Sequence, residues 1–256
     1  ADLASNSVTL GSSYVVSSIN TGATGDDAQL RVVVTEAGSG VYDTELIPTV
    51  TLVQSKIADG SNNQATTNQG AFTPSDGAAP VIVSAQTMDA DSDGKIDRID
   101  LTFSENLDDS KGSNMNSNSF TLGSSYNVSS VVTGDTGDDK FLRVNLTEKL
   151  IVDSDIKPTI TMNVSKIADP SNNMTAQSAF TPTDAAKPVI TNARWQDAQV
   201  DELIDRVSLT FSEPVNIVDG NSGDGFGAIL VNDGSAVTID NADYAASGVI
   251  NLNINF

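Results

Sequence analysis

Arg98-Ile-Asp-Leu-Thr-Phe-Ser-Glu105 decides the fold class. Ile99, Leu101 and Phe103 alternate with Arg98, Asp100, Thr102 and Ser104. A period of two places one set of side chains on each face of a strand, so this stretch predicts a half-buried β-strand with its apolar residues inward. Arg206-Val-Ser-Leu-Thr-Phe-Ser-Glu213 keeps the pattern through Val207, Leu209 and Phe211. A strand that recurs almost letter for letter points to an internal repeat.

The repeat extends in both directions. Ser7-Val-Thr-Leu-Gly-Ser-Ser-Tyr14 returns as Ser119-Phe-Thr-Leu-Gly-Ser-Ser-Tyr126, and Thr21-Gly-Ala-Thr-Gly-Asp-Asp27 as Thr133-Gly-Asp-Thr-Gly-Asp-Asp139. Ser55-Lys-Ile-Ala-Asp59 returns as Ser165-Lys-Ile-Ala-Asp169, and Phe72-Thr-Pro74 with Pro80-Val-Ile82 as Phe180-Thr-Pro182 with Pro188-Val-Ile190. The offset falls from 112 to 110 to 108, as two small loop deletions would produce. A unit of about 108 residues is the size of one immunoglobulin-like sandwich. Residues 79–186 hold a whole unit, 1–78 the C-terminal part of a first, and 187–256 the N-terminal part of a third. Two expectations follow: the chain is a segment of a longer tandem array, or its split units are completed by strands from neighbouring subunits.

Within the whole unit, strands are expected at Pro80–Gln86, around Ile99–Phe103, at Phe120–Leu122, Tyr126–Val128, Phe141–Thr147, Thr159–Val164 and Met174–Phe180. Asp, Gly, Asn and Ser separate these seven runs, and no segment holds a helical period. The fold class expected is all-β, in tandem immunoglobulin-like β-sandwiches. Phe180 to Pro188 reads as the linker between units.

Composition removes whole classes of chemistry. The chain has 256 residues, no Cys and no His, which excludes disulfides, Cys nucleophiles, His triads and His-ligated metals. Lys+Arg number 13 against 34 acids, a formal charge of -21 that repels nucleic acid and anionic membranes. No apolar run approaches the roughly 20 residues that span a bilayer, so no membrane insertion is expected in this segment. Ala1–Ser5 has neither the basic nor the apolar region of an export signal, so any such signal is expected to be already removed or never part of this segment. Of the acids, 28 are Asp and six Glu, a bias toward turns and hard-cation sites over helices.

The densest acidic turn is Asp89-Ala-Asp91-Ser-Asp93-Gly94-Lys95-Ile96-Asp97, continuing to Asp100. Asp at the first, third and fifth places followed by Gly matches the opening of a calcium loop. Lys95 would offer its carbonyl, Asp97 the ninth place and Asp100 the twelfth, where a true EF-hand has Glu. Strand flanks rule against EF-hand helices, so a dockerin-like or immunoglobulin-type interstrand loop holding calcium is expected, and a solvated Asp/Gly turn is the other reading. The third unit reads Asp197-Ala-Gln199-Val-Asp201-Glu202-Leu-Ile204-Asp205, with Gln at the third place and no Gly, which weakens a cation there. Glu105 and Glu213, ending their strands, either complete a site or face water. Asp135, Asp138 and Asp139, and Asp26 and Asp27, form further acidic turns read as hairpins. Asn127, Asn145, Asn163 and Asn173 open Asn-x-Ser/Thr sequons and are candidate glycosylation sites of an exported protein.

Pro-Val-Ile, the Asp-rich turn, Ile-Asp-Arg followed by Leu-Thr-Phe-Ser-Glu, and Ile-Ala-Asp-x-Ser-Asn-Asn together resemble bacterial and archaeal Ig-like repeats of surface-layer (S-layer) type. Glu213-Pro214-Val215 continues that likeness. At the fourth place of the late turn the family Gly is Asn62 or Asn172 here, a residue that also tolerates a left-handed backbone. The resemblance implies an extracellular, cell-surface scaffold, calcium-stabilised and glycosylated, whose partners are copies of itself in a lattice or filament and divalent cations. Two other readings stand beside it: an adhesin or glycan-binding module, for which an exposed aromatic is needed, and an accessory region of a secreted hydrolase. Trp195 is read as a core or interdomain plug. No acid pair stands apart from the repeat, so the chain is not expected to be an enzyme.

Overall fold

The computed structural model describes residues 4–21, 28–36, 38, 41–110, 115–134 and 136–215, and as backbone alone 229–230, 236–246 and 249–255. It is an all-β protein; among the described residues the helical structure is one 3-10 turn at Ser5–Ser7. No helix there is long and apolar enough to cross a membrane.

The first segment carries β1 (Val8–Leu10), β2 (Val16–Thr21), β3 (Leu30–Val34), β4 (Val50–Leu52) and β5 (Gln69–Phe72). They form a three-stranded sheet, β1-β4-β5, and the hairpin β2-β3. The central segment carries β6 (Ile82–Met88), β7 (Arg98–Phe103), β8 (Phe120–Leu122), β9 (Val128–Thr133), β10 (Phe141–Leu146), β11 (Ile160–Met162), β12 (Gln177–Phe180) and β13 (Thr183–Asp184). One sheet runs β13-β6-β7-β10-β9 and the other β12-β11-β8. The last segment carries β14 (Ile190–Gln196), β15 (Arg206–Phe211), β16 (Ile229–Leu230), β17 (Ala236–Ala246) and β18 (Val249–Asn255), in one sheet ordered β14-β15-β18-β17-β16.

The period-two reading holds over Arg98–Phe103; the strand ends there, and Ser104, expected to face outward, is 3% exposed. In β7 the inward set Ile99, Leu101 and Phe103 is at most 1% exposed. Its partner β10 aligns Leu142 with Leu101 and Val144 with Ile99, so both strands turn apolar side chains to one face. Phe120, Ile160 and Met162 of the other sheet join them in a single buried cluster with Ile82, Ala85, Ile96, Leu107, Tyr126 and Ile167. Two sheets closing on one apolar layer is the economical way to bury a half-apolar sheet.

Two expectations are corrected in detail. The expected strands at Pro80–Gln86, Tyr126–Val128, Phe141–Thr147, Thr159–Val164 and Met174–Phe180 are shifted or trimmed to β6, β9, β10, β11 and β12. The stretch read as a linker contains β13, which pairs in parallel with β6 through Thr183–Gln86 and Asp184–Thr87. Thr183 Oγ1 donates to the Ala85 carbonyl at 3.2 Å, and the Gln177 amide caps the start of β6 by bonding both Ile82 backbone groups at 2.5 and 2.9 Å. The edge of β6 thus recruits the chain that follows the unit, which local sequence period does not encode.

Candidate cation sites

The Asp89–Asp97 loop joins β6 to β7 and is wound by carboxylates bonding backbone. Asp89 Oδ1 accepts from the amides of Ser92 and Asp93 at 2.7 and 3.2 Å, and its Oδ2 from Gly94 at 2.8 Å. Asp97 Oδ2 accepts from the Ala90 amide at 3.0 Å. Ser92 and Gly94 take left-handed φ values of 64° and 88°. Gly94 has a second reason to be glycine: an added Cβ would lie 3.0 Å from Val189 Cγ2 and 3.2 Å from Ser212 Cβ.

Of the residues singled out by spacing, Asp89, Asp91 and Asp97 are brought together, with one carboxylate oxygen of each within 4.8 Å of the others. Asp97 Oδ1 is buried with no hydrogen-bond partner. Burial raises the Asp97 pKa, and the charges of Asp91 and Asp89 raise it further, against the Ala90 amide and Arg98. This trio and its orphaned oxygen suit a hard cation with oxygen ligands. Asp93 and Asp100 are engaged elsewhere. Asp93 accepts from its neighbour's amide, Lys95, at 2.9 Å and pairs with the Lys95 ammonium. Asp100 sits on β7 beside Arg98, 2.8 Å from its Nε, and within 3.9 Å of Arg143.

The third unit's loop has the same winding. Asp197 accepts from the amides of Asp201 and Glu202 at 3.1 and 2.9 Å, and Asp205 from Ala198 at 2.7 Å. Val200 and Glu202 take φ of 60° and 69°, so the backbone adopts the left-handed turn even where the Gly is missing. Gln199 replaces Asp91, and its amide donates to Asp205 Oδ2 at 3.0 Å. The Asp205 pKa is accordingly lowered, chiefly by the Ala198 amide. The Asp spacing therefore builds the turn in both loops; only the central one adds a convergent acidic trio.

A second trio was not assembled from the sequence. Glu105, two residues past β7, is 2% exposed; Asp169, after β11, is fully buried; Asp76, between β5 and β6, is half-buried. One carboxylate oxygen from each lies within 4.8 Å of the others. At an effective dielectric of about 20, two unit charges that close repel by roughly 3 kcal/mol. Glu105 Oε1 is buried and has no hydrogen-bond partner. Burial pushes the Glu105 pKa up to about 7, with Asp169, Asp76 and Glu45 adding to it and a Thr44 hydroxyl bond opposing it. Recurrence was the available signal: Asp76 returns as Asp184, Glu105 as Glu213, and Asp59 as Asp169, whereas Asp91 becomes Gln199.

The remaining candidates divide by exposure. Asn127 is exposed. Asn145 Nδ2 donates to Ser130 Oγ at 2.9 Å, Asn163 Nδ2 to the Asn118 carbonyl at 2.8 Å, and Asn173 Nδ2 to Asp169 Oδ2 at 2.8 Å, so each amide is engaged within the protein. Asn62 and Asn172 take φ of 65° and 67°, the left-handed backbone expected where Asn stands for Gly. Asp138 and Asp109 exchange amide–carboxylate bonds at 3.0 and 3.1 Å, and Asp139 accepts from the Phe141 amide at 2.7 Å, which makes this turn a hairpin closure. Asp26, Asp27 and Asp135 lie outside the described residues. Trp195, expected as a plug, is 54% exposed on β14. No family model, curated protein or solved structure matches the chain.

Proposed function

We propose that the chain is a structural, cell-surface protein: a stretch of immunoglobulin-like sandwiches in tandem, part of a self-assembling layer or filament stabilised by calcium. The central unit supports the sandwich type. Its strand order, β6-β7-β10-β9 against β8-β11-β12, follows the A-B-E-D and C-F-G sheets of a constant-type immunoglobulin domain. Strands β1 to β5 repeat the pairings of β8 to β12.

The observation that carries the array reading is a joint used twice. Thr44 Oγ1 meets Ser104 Oγ at 2.9 Å and bonds Glu105. One unit later Ser154 Oγ meets Ser212 Oγ at 2.8 Å and Glu213 Oε1 at 3.3 Å. Repeating one joint at each step propagates a single rotation and translation, which is how repeats build extended scaffolds. Asp89, Asp91 and Asp97 would hold the calcium of the central loop, neutralising charges that otherwise repel. A -21 surface would then carry divalent cations between neighbouring copies.

Electron microscopy of the assembled protein tests this. Ordered sheets or filaments in calcium, dispersing in chelator, are expected; a monodisperse species in calcium at every concentration would overturn it. The glycan-binding alternative rests on the exposed Trp195, and a glycan array with Trp195→Ala separates the two.

A further inference from the structure

We propose that Asp76, Glu105 and Asp169 form a second divalent-cation site, of calcium type, that pins the segment before β6 to the central sandwich. The site is independent of the Asp89–Asp97 loop and of whether the chain assembles. Its ligands come from three places. Asp169 is held by the Asp169–Asn173 turn, its Oδ1 accepting from the Asn173 amide at 2.7 Å and its Oδ2 from Asn173 Nδ2 at 2.8 Å. The same Nδ2 reaches the Asp76 carbonyl at 3.3 Å. Asp76 Oδ1 accepts from the Ala78 amide at 2.9 Å, fixing its carboxylate. Glu105 is set by the flanking core residues Phe103 and Leu107, and by the bond from the Asp108 amide to the Ala168 carbonyl at 2.9 Å, which draws its loop onto the Asp169 turn.

Acids that merely decorate a turn face water and are bonded. Glu105 is instead 2% exposed, and although Thr44 bonds the carboxylate, its Oε1 has no donor. Burying an acceptor with no partner is costly, so such an atom marks a missing ligand. The adjacent ammonium does not fill the role, because Lys140 pairs with Glu45 at 2.6 Å. Three carboxylate oxygens from rigid supports, with no His or Cys in the chain, select a hard cation with oxygen ligands. Two of the three donors recur at the next joint, where Asp184 Oδ1 accepts from the Ala186 amide at 3.1 Å, as Asp76 does from Ala78, and Glu213 is raised in pKa by burial and then by Asp184.

The test titrates calcium chloride by calorimetry into the chain carrying Asp91→Asn and Asp97→Asn, which removes the loop trio. One calcium per chain is expected to remain bound. Adding Glu105→Gln, or separately Asp76→Asn, is expected to weaken that binding at least tenfold, and calcium is expected to shorten the maximum dimension seen by small-angle scattering only while Glu105 and Asp76 are present. Circular dichroism in chelator verifies folding; Glu105→Gln keeps the shape and removes a buried charge, so it is expected to melt no lower than its parent. No calcium bound in the loop-deleted parent, or unchanged binding in both added variants, would overturn the site. Equal stoichiometry before and after loop deletion would instead sink the loop reading and leave this one standing.

Discussion

Leu30 and Leu142 occupy the same step of the repeat, on β3 and β10, yet Leu30 is 41% exposed and Leu142 1%. The contrast runs along both segments. Ile160 and Met162 are at most 1% exposed, whereas their counterparts Val50 and Leu52 are half-buried. Strand pairing is the same in the two places. Pairing is therefore local, written into each hairpin, while burial is supplied by β6 and β7, whose Ile82, Ala85, Ile99, Leu101 and Phe103 close the central core and have no counterpart among β1 to β5. The sharpest way to break this comparison is truncation at the shared step. Leu142→Ala is expected to lower stability by about 2–5 kcal/mol, and Leu30→Ala by less than about 1 kcal/mol. Scanning calorimetry of the two variants measures both; equal losses would mean that the first segment has a core of its own.

The next effect compares buried Glu105 with water. In chelator its folded pKa of about 7 lies above its ordinary value, for burial first, so the folded state holds the proton more tightly than the unfolded state. Its contribution is then fully present below the unfolded pKa, near 4.5, and is lost as pH rises through about 7. The decline attributable to this residue is up to about 3 kcal/mol, obtained as the difference between the parent and Glu105→Gln across that range. Parallel stability curves for the two proteins would show that Glu105 ionises freely.

Tyr126 and Tyr14 sharpen the comparison one step lower. Tyr126 donates to Asp153, and both are buried at 5% and 3% exposure; Tyr14 donates to Asp43 in the same way, with both half-buried. Burial and the Asp153 bond push the Tyr126 phenol above its ordinary range, as the Asp43 bond does more mildly for Tyr14. Tyr126→Phe leaves a buried carboxylate short of a donor and is expected to cost about 1–3 kcal/mol by urea denaturation. Tyr14→Phe exposes its partner to water, and a loss under about 0.5 kcal/mol is expected.

These pairs also show what the sequence could carry. Strand identity was legible because Ile99, Leu101 and Phe103 alternate without interruption, and repetition extended that reading to all three segments. Strand β13 was not legible: Thr183 and Asp184 have no period, and pair only because β6 offers an open edge. The Asp89 loop was half legible. Alternate Asp residues were read as ligands, but Asp89 and Asp93 spend oxygens on backbone amides, and a spacing rule cannot separate a wound turn from a coordination sphere. Glu105 looked ambiguous because the acids it meets, Asp76 and Asp169, lie 29 and 64 residues away in sequence. Trp195 was read by residue type alone, and its exposure on β14 reflects the packing around that strand.

The smallest effect carries a sign that discriminates. Asp97 and Asp205 close the same loop in successive units, and the environment has moved their pKa values in opposite directions. Burial first, and then the charges of Asp91 and Asp89, raise the pKa of Asp97, which also has one orphaned oxygen. Asp205 uses both oxygens as acceptors, from Ala198 and Gln199, so its charged form is favoured. Replacing Asp97 by Asn removes repulsion and keeps one oxygen for the Ala90 amide; a rise of about 1–2 °C in Tm is expected in chelator. Replacing Asp205 by Asn turns an amide NH2 toward a backbone donor, and a lower Tm is expected with or without calcium. In calcium the sign at Asp97 must reverse, because the ligand that offsets the repulsion loses a coordinating charge while stabilising only the folded state. Thermal melts of both variants in chelator and in calcium give four numbers, and only a cation held by the central loop inverts one of them. If Asp97→Asn behaves like Asp205→Asn in both conditions, the two loops are the same wound turn and the extra aspartate at position 91 is surface charge.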